Sequence, residues 1–228
     1  MGWQLAVVPD MFSLLYALPQ SAYAAEMRLN AAVKCSPPYD ARAVANLLLD
    51  LAQSEFARPI TNLALQKLLY FAHGQHLIGS GTPLVNGAFE AWTYGPVHPA
   101  IYREFKQCGA NPITERAVAR DVMTGKTSPI APVEDQSVRD LLRGILFAYG
   151  RLSAGRLVDI SHAKYGPWWT TVNKAETSIA LGLRISDTVT RECFKFQKVT
   201  VGLESRVGEP DEDSPIERDR LGALLRHH

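Results

Sequence analysis

Apolar residues recur at the helical period between residues 60 and 80. Four of them fall at i, i+3, i+4 and i+7 and form one stripe: Leu65, Leu68, Leu69 and Ala72. Thr61 precedes the stripe and suits the N-cap, because its hydroxyl oxygen can accept a hydrogen bond from a first-turn amide. Gly79, Gly81 and Pro83 end the pattern, since glycine tolerates positive φ and proline cannot continue the hydrogen-bond ladder. The pattern predicts an amphipathic helix over residues 61–78, around which the chain is organised.

The same periodicity predicts further helices. Asp40 is a good N-cap for a helix that stops before residue 58 and carries the stripe Val44, Leu47, Leu48 and Leu51. A second clear helix is predicted from about residue 134 to residue 149, where Gly150 stops it. Shorter helices are predicted at residues 99–109, 153–162 and 186–196; Pro99 begins the first of them, and Ser153 and Ser186 cap the other two.

A period of two appears between Phe89 and Tyr94 and predicts a short strand. Leu84-Val85 precedes it, and the intervening Asn86-Gly87 suits a type I′ turn, so we expect a small hairpin at residues 84–94. Residues 111–132 contain three prolines and little periodicity, which predicts a long surface loop. A short strand within this loop is compatible with the sequence. Together these elements predict a mainly α fold: a compact helical domain of five or six helices with a small antiparallel β element.

Composition divides the chain into three parts. Residues 1–36 form an N-terminal extension without a predicted element, and its first basic residue is Arg28, so the positive n-region of a signal peptide is missing. Residues 37–200 form the predicted domain. Residues 201–228 form a polar tail that we expect to be disordered, because it has too few apolar side chains to build a core. No stretch approaches the roughly 20 apolar residues that cross a bilayer, so no membrane association is expected.

Net charge and cysteine usage narrow the function classes. The formal net charge is +1, so no global field attracts nucleic acid or an anionic membrane surface. Cys35, Cys108 and Cys193 are widely spaced and form no C-x-x-C motif, which favours neither a disulfide framework nor a structural zinc site. Reduced thiols are typical of a cytoplasmic protein.

The histidines are the candidate metal ligands. His73 and His76 lie three residues apart on the predicted helix, a spacing that can put two imidazoles on one metal, and His98 and His162 are available to complete such a site. The same helix carries no Asp or Glu to serve as ligand or base, which favours a solvated or hydrogen-bonded histidine pair instead. His162 precedes a Gly-Pro-Trp turn and is expected to bond the backbone there.

Motifs of nucleophilic and phosphate chemistry are missing from the sequence. It contains no G-x-S-x-G elbow, no P-loop and no G-x-G-x-x-G. The sequence therefore predicts neither an enzyme nor a cofactor.

Two aromatic turns remain, one at residues 92–96 (W-T-Y-G-P) and one at residues 165–169 (Y-G-P-W-W). In each, a Gly-Pro pair stiffens the chain beside large rings, and pre-ordered Trp and Tyr lose little entropy on binding, so they dominate interface hot spots. Trp92 and Trp168 are expected to plug the core instead. The two turns are candidates to meet in the fold and form one surface. The predicted partner-binding residues are Tyr94, Gly95, Pro96, His98, Tyr102, Tyr165, Gly166, Pro167 and Trp169.

DNA binding is an alternative, because two helices followed by a hairpin are typical of a winged helix-turn-helix. A recognition helix exposes Lys, Arg, Asn or Gln to the groove. The face of residues 61–78 expected to be exposed offers only Gln66, Lys67, His73 and Gln75, with no Arg. Nucleic acid is therefore not expected as the main partner.

Several ordered motifs carry a family resemblance. They are L-Q-K-L-L-Y-F-A at residues 65–72, E-A-W-T-Y-G-P-V-H-P-A-I-Y-R-E-F at residues 90–105, and H-A-K-Y-G-P-W-W at residues 162–169, with S-A-G-R-L just before the last. They resemble the Panacea domain family of SocA-like antitoxins, which are often found near phage genes. The resemblance covers roughly residues 39–196.

The resemblance implies an antitoxin of a toxin–antitoxin system. Such a protein neutralises a cognate toxin encoded nearby, stoichiometrically and without catalysis, by direct protein–protein contact. Three alternatives stay open at this point: an adaptor that delivers its partner to a protease, an autoregulatory DNA-binding protein, and a His-dependent metal hydrolase.

Overall fold

The structure is a computed structural model, and it describes residues 36–175 and 183–194. The described residues form seven α-helices: α1 (Ala41–Ser54), α2 (Asn62–Ser80), α3 (Pro99–Phe105), α4 (Gln136–Tyr149), α5 (Ala154–Ser161), α6 (Pro167–Ala175) and α7 (Asp187–Phe194). They also form five short strands: β1 (Phe89–Trp92), β2 (Gly95–Val97), β3 (Val118–Arg120), β4 (Thr127–Pro129) and β5 (Arg184–Ile185). The predicted mainly α fold with a small antiparallel β element is confirmed. Nearly all of the predicted extension, the polar tail and the end of the last predicted helix lie outside the described residues.

Both helices at the start of the domain begin at the predicted capping residues. The Asp40 side chain accepts a hydrogen bond from the backbone N–H of Arg42, and the Thr61 hydroxyl accepts one from the N–H of Ala64. Gly81 ends α2 in the left-handed conformation, with φ 75°, as its lack of a Cβ allows. The predicted helices α1 and α2 are therefore confirmed, and their observed ends lie close to the predicted ones.

Helix α2 is the central element of the domain. It contacts α1, α3, α4, α5, α7 and strand β2. Because neighbours surround it on several sides, its buried residues include polar ones as well as the predicted apolar stripe. The buried polar residues of α2 are Asn62, Gln66, Lys67 and His73. This corrects the expectation that Gln66, Lys67 and His73 face solvent.

The small sheet differs from the predicted hairpin. Strand β1 pairs antiparallel with β2 and with β5, in the order β2-β1-β5. Val85 instead forms a parallel bridge with Tyr39, and the N–H of Asn86 donates to the Tyr39 carbonyl oxygen at 2.7 Å. Gly87 has φ 92°, and a Cβ there would lie 2.7 Å from His98 Nε2, so this glycine lets the chain pass the histidine. The predicted pairing of Leu84-Val85 with Phe89–Tyr94 is thus wrong.

The predicted loop at residues 111–132 contains a two-stranded hairpin. Strands β3 and β4 pair antiparallel, with Ala119 opposite Ser128. The Asp121 carboxylate closes the turn by accepting from the backbone N–H groups of Met123 and Thr124, at 2.9 and 2.8 Å. The optional short strand of the sequence analysis is therefore one half of a local hairpin.

Helix α6 was not predicted from the sequence, because the second aromatic turn was interpreted as a loop. Pro167 begins this helix, where its missing N–H would have had no partner and its fixed φ is already helical. The N–H of Thr170 donates to the Gly166 carbonyl oxygen at 2.9 Å. The two adjacent tryptophans of the motif, Trp168 and Trp169, are consequently helical residues.

Within the described residues, no helix is long and apolar enough to cross a membrane. Cys108 and Cys193 are free thiols, and Cys35 lies outside the described part of the chain.

Candidate functional site

The two aromatic turns lie side by side. The first connects β1 to β2, and the second consists of the end of the α5–α6 connection and the first residues of α6. The indole Nε1–H of Trp168 donates to the backbone carbonyl oxygen of Trp92 at 2.9 Å and links them directly. The prediction that the two turns could meet is therefore confirmed. Trp92 and Trp168 are half-buried, so the expectation that they plug the core is wrong; Trp168 packs against the core from its edge.

An edge-to-face ring pair lies at each turn, and in the first pair Tyr102 comes from helix α3. Trp92 and Tyr102 have ring centroids 4.9 Å apart at 62°, and Tyr165 and Trp169 have centroids 4.9 Å apart at 65°. Such pairs contribute about 0.5–1.5 kcal/mol beyond the area they bury. Both pairs thus fix the direction of rings that are only partly covered.

The nine predicted partner-binding residues divide by burial. Tyr165 is 65% exposed, and Tyr94, Tyr102 and Trp169 are half-buried. The other five are buried: Gly95, Pro96, His98, Gly166 and Pro167. The rings therefore form the accessible part of the predicted set, and the Gly-Pro pairs form its support.

His98 does not reach the surface, where the sequence analysis placed it. Its side chain is 4% exposed, and its Nε2 lies 2.8 Å from the Asn86 carbonyl oxygen. Its backbone N–H donates to the Gln66 side-chain oxygen at 2.9 Å. Burial lowers the pKa of this imidazole. His98 thus ties the start of α3 to α2.

A lysine lies directly beneath the first turn. Lys67 is 0% exposed, and its Nζ donates to the Pro96 carbonyl oxygen at 2.9 Å. Gly95, with φ 90°, leaves the necessary space, because a Cβ there would lie 3.0 Å from Lys67 Cε and would also collide with the Ser161 hydroxyl. Three parts of the chain therefore pack together in one buried cluster: Lys67, the Gly95-Pro96 pair and Ser161 at the end of α5.

Burial lowers the pKa of two basic groups in and beside this cluster, Lys67 and His162. It lowers the pKa of Lys67 from 10.5 to about 7, because a low-dielectric environment disfavours the ammonium form. It also lowers the pKa of His162 to about 4, and the nearby Lys67 adds to that effect while Asp159 opposes it. Both side chains therefore lose their proton at a lower pH than they would in water.

His162 fixes the second turn by stacking. Its ring lies 3.9 Å from the Trp168 ring at an interplanar angle of 28°, while its Nε2 has no hydrogen-bond partner in the described part of the chain. Only its backbone N–H bonds the preceding turn, at Val158 and Asp159. His162 Nε2 thus makes no bond to the backbone of the Gly-Pro-Trp turn, and the imidazole contacts that turn by stacking on Trp168.

The candidate metal ligands point to different partners. His73 Nε2 lies 3.1 Å from the Asp187 carboxylate, and His76 Nδ1 lies 2.9 Å from the Thr82 carbonyl oxygen. In residues 36–175 and 183–194, no group of three or more His, Cys, Asp or Glu side chains is arranged to hold a metal ion. The described histidines therefore act as hydrogen-bonding and packing groups.

The DNA-binding alternative loses its structural basis. Of the four side chains expected on the exposed face of α2, only Gln75 is exposed, whereas Gln66, Lys67 and His73 are buried. A recognition helix has to present such side chains to base edges. Helix α2 cannot enter a DNA groove while it forms the centre of the domain.

The buried lysine is the site residue that sequence reasoning missed. Lys67 stands between Gln66 and Leu68, and a lysine is almost never fully buried unless it is paired. The high apolar content of residues 65–72 could have indicated this burial, because a helical segment with so few polar residues has little surface to expose to solvent.

The fold and the site define a mainly helical domain in which two aromatic turns lie side by side. The model of the family described as antitoxin SocA-like, Panacea domain, matches residues 65–169, which include both turns. The chain is also 49% identical over 176 residues to the protein named Antitoxin SocA from Caulobacter vibrioides (strain NA1000 / CB15N), a match that covers 77% of this chain and 93% of that protein. The chain therefore belongs to the SocA-like antitoxin family with a Panacea domain. No solved structure matches it.

Proposed function

We propose that this chain is an antitoxin that neutralises a cognate toxin by binding it directly. The observation that carries the proposal is the 49% identity to Antitoxin SocA along 93% of that protein. The partner is a toxin protein encoded close to this chain, and the proposed place of action is the cytoplasm, where both proteins are made.

The proposed binding surface consists of the accessible rings of the two joined turns and of Tyr102, which follows the first turn on α3. We name it the aromatic surface and define it by Tyr94, Tyr102, Tyr165 and Trp169. Partly covered Tyr and Trp side chains on a rigid base lose little conformational entropy when a partner covers them. The buried Gly-Pro pairs, Lys67 and Trp168 supply that base.

The proposed mechanism is stoichiometric. The aromatic surface covers part of the toxin and holds it in an inactive complex, so no bond is made or broken. One antitoxin molecule then silences one toxin molecule, and excess toxin stays active.

Coexpression tests this function. The protein encoded by the neighbouring reading frame is expected to stop growth alone and to be harmless with the wild-type chain. The double substitution Tyr102→Ala, Trp169→Ala is expected to abolish both rescue and copurification of the two proteins. Met123→Ala is the matched control, because Met123 is 93% exposed on the β3–β4 turn and lies outside the aromatic surface. Rescue without complex formation would contradict direct binding.

The half-life of the toxin in cells distinguishes an antitoxin that blocks the toxin by binding from an adaptor that delivers it to a protease. A blocker leaves the half-life of the toxin unchanged or extends it, because a folded complex resists proteolysis. An adaptor that delivers the toxin to a protease shortens that half-life. A pulse-chase measurement with and without this chain gives the answer, and a shortened half-life would replace blocking by delivery as the mechanism.

A further inference from the structure

Tyr165 combines an exposed ring with a left-handed backbone. The Gly166 N–H donates to the Ala163 carbonyl oxygen at 2.8 Å, which closes a four-residue turn with Tyr165 in its third position. Tyr165 has φ 66°, and turns of this kind usually place glycine or asparagine there. Among the described residues other than glycine, Ala57 is the one further case of positive φ.

The fold itself gives little reason for a tyrosine at this position. A bulky residue in the left-handed region is strained, and glycine would remove the strain. The ring is 65% exposed, so it does not fill the core. Its ring pairs edge-to-face with Trp169, with the two ring centroids 4.9 Å apart, and Lys164 Nζ lies 5.3 Å from its centroid. These surface contacts are too weak to require this residue in this conformation.

The base under Tyr165 is rigid. The adjacent Trp168 ring stacks on His162 and donates a hydrogen bond to the Trp92 carbonyl oxygen. The ring of Tyr165 is therefore held outward before any partner arrives, and a pre-ordered anchor binds with a small entropic cost.

The charge of the stretch that carries Tyr165 suits an acidic group on the partner. From Ser161 to Asn173 the sequence contains no Asp or Glu, and it contains the exposed Lys164 next to Tyr165. A carboxylate on the partner would meet Lys164 without repulsion from this stretch of the chain.

We propose that Tyr165 is the anchor of the toxin interface: its ring enters an apolar pocket of the toxin, and a carboxylate at the pocket's rim meets Lys164. The inference rests on the proposed antitoxin function and names the chemistry of the partner's surface.

Glycine substitution separates a binding role from a structural one. Tyr165→Gly removes both the ring and the backbone strain, and the matched Ala57→Gly removes strain at a remote turn, where φ is 50°. Both variants are expected to unfold at the wild-type temperature or above it. By titration calorimetry with the purified product of the neighbouring reading frame, Tyr165→Gly is expected to weaken binding at least about thirtyfold, as for an interface hot spot, while Ala57→Gly binds like the wild type.

The outcomes of this experiment are distinct. Wild-type affinity in Tyr165→Gly would overturn the anchor role and leave the proposed function intact. Failure of the wild-type chain itself to bind would overturn the proposed function, and this inference with it. If Tyr165→Gly unfolds early, Tyr165→Asn replaces it, because asparagine tolerates the left-handed region; undiminished binding by that variant would equally overturn the anchor.

A charge reversal tests the acidic rim. Lys164→Glu is expected to slow association about tenfold and to reverse its salt dependence. Lys126→Glu is the matched control, since Lys126 is an exposed lysine next to the β3–β4 turn, and its association rate is expected to stay unchanged. Equal rates for Lys164→Glu and the wild type would overturn the carboxylate at the rim.

Discussion

Replacing Lys67 by methionine removes a fully buried amine while it keeps a side chain of similar length. The amine donates one hydrogen bond, to the Pro96 carbonyl oxygen at 2.9 Å, and burial lowers its pKa from 10.5 to about 7. Below that pKa the folded protein has to hold a positive charge in an apolar environment. Methionine carries no such charge, but it leaves the Pro96 carbonyl oxygen without its donor, which costs about 1–3 kcal/mol.

The direction of the pH effect follows from proton linkage. Between pH 7 and pH 10.5 the unfolded chain binds a proton at Lys67 that the folded protein has released, so the free energy of unfolding rises with pH. Below pH 7 both states bind the proton, and the slope from Lys67 vanishes. One pKa unit corresponds to about 1.4 kcal/mol, so Lys67 is expected to raise the free energy of unfolding of the wild type by about 3 kcal/mol between pH 6 and pH 9. The Lys67→Met variant lacks this gain.

Urea unfolding at pH 6, 7.5 and 9, followed by far-ultraviolet circular dichroism, measures the effect. The free energy of unfolding of the wild type minus that of Lys67→Met should rise by about 3 kcal/mol across this range. Lys126→Met serves as the control, because Lys126 is exposed and no pH-dependent difference is expected. His162 raises the free energy of unfolding with pH up to its ordinary pKa of 6.5, because its folded pKa is about 4. Both proteins carry His162, so this contribution cancels in the difference. A wild-type minus variant difference that stays constant with pH would refute the burial of Lys67.

Three further substitutions test how the site is supported, each by thermal unfolding. Gly95→Ala is expected to cost about 2 kcal/mol or more, because φ is 90° and the new Cβ would lie 3.0 Å from the lysine below; an unchanged midpoint would contradict this packing. Trp168→Phe removes the hydrogen bond to Trp92 and should cost about 1 kcal/mol, so equal stability would argue against that link. Gly74→Ala places a Cβ 2.8 Å from the Phe194 ring and should cost about 1–3 kcal/mol; a stabilised variant would show that α7 packs elsewhere.

Local patterns predicted the helices well because their causes are local. Asp40 and Thr61 cap α1 and α2 as expected, since a capping bond joins residues two or three apart in the sequence. Pro167 was an equally local indication of α6, and it was missed because the neighbouring aromatic residues suggested a loop.

Strand pairing was not predictable in the same way. Strand β1 pairs with β5, almost a hundred residues later in the chain, and Val85 pairs with Tyr39. Nothing within a short window of sequence specifies such partners, whereas the Asn86-Gly87 pair favoured a local hairpin. Contacts between distant parts of the chain therefore outweighed the local preference of Asn86-Gly87 for a hairpin turn.

The candidate site was predicted in part for related reasons. The ring types and the stiff Gly-Pro pairs are readable from sequence, so the two turns were found. The burial of Lys67 was not, because a polar residue on a helix normally marks the solvated face. The burial of His98 was not predicted either, because its contacts with Asn86 and Gln66 join residues far apart in the sequence. Helix α2 has neighbours on several sides, and only the tertiary structure shows that.

Residual toxin activity, titrated with this chain, tests the central proposal most directly. If the aromatic surface neutralises the toxin by binding, activity should fall linearly with added antitoxin and vanish near one equivalent. A chain with both Tyr102→Ala and Trp169→Ala should leave activity unchanged over the same range. Complete loss of activity at a small fraction of an equivalent, or full activity in saturated complex, would contradict neutralisation by direct binding.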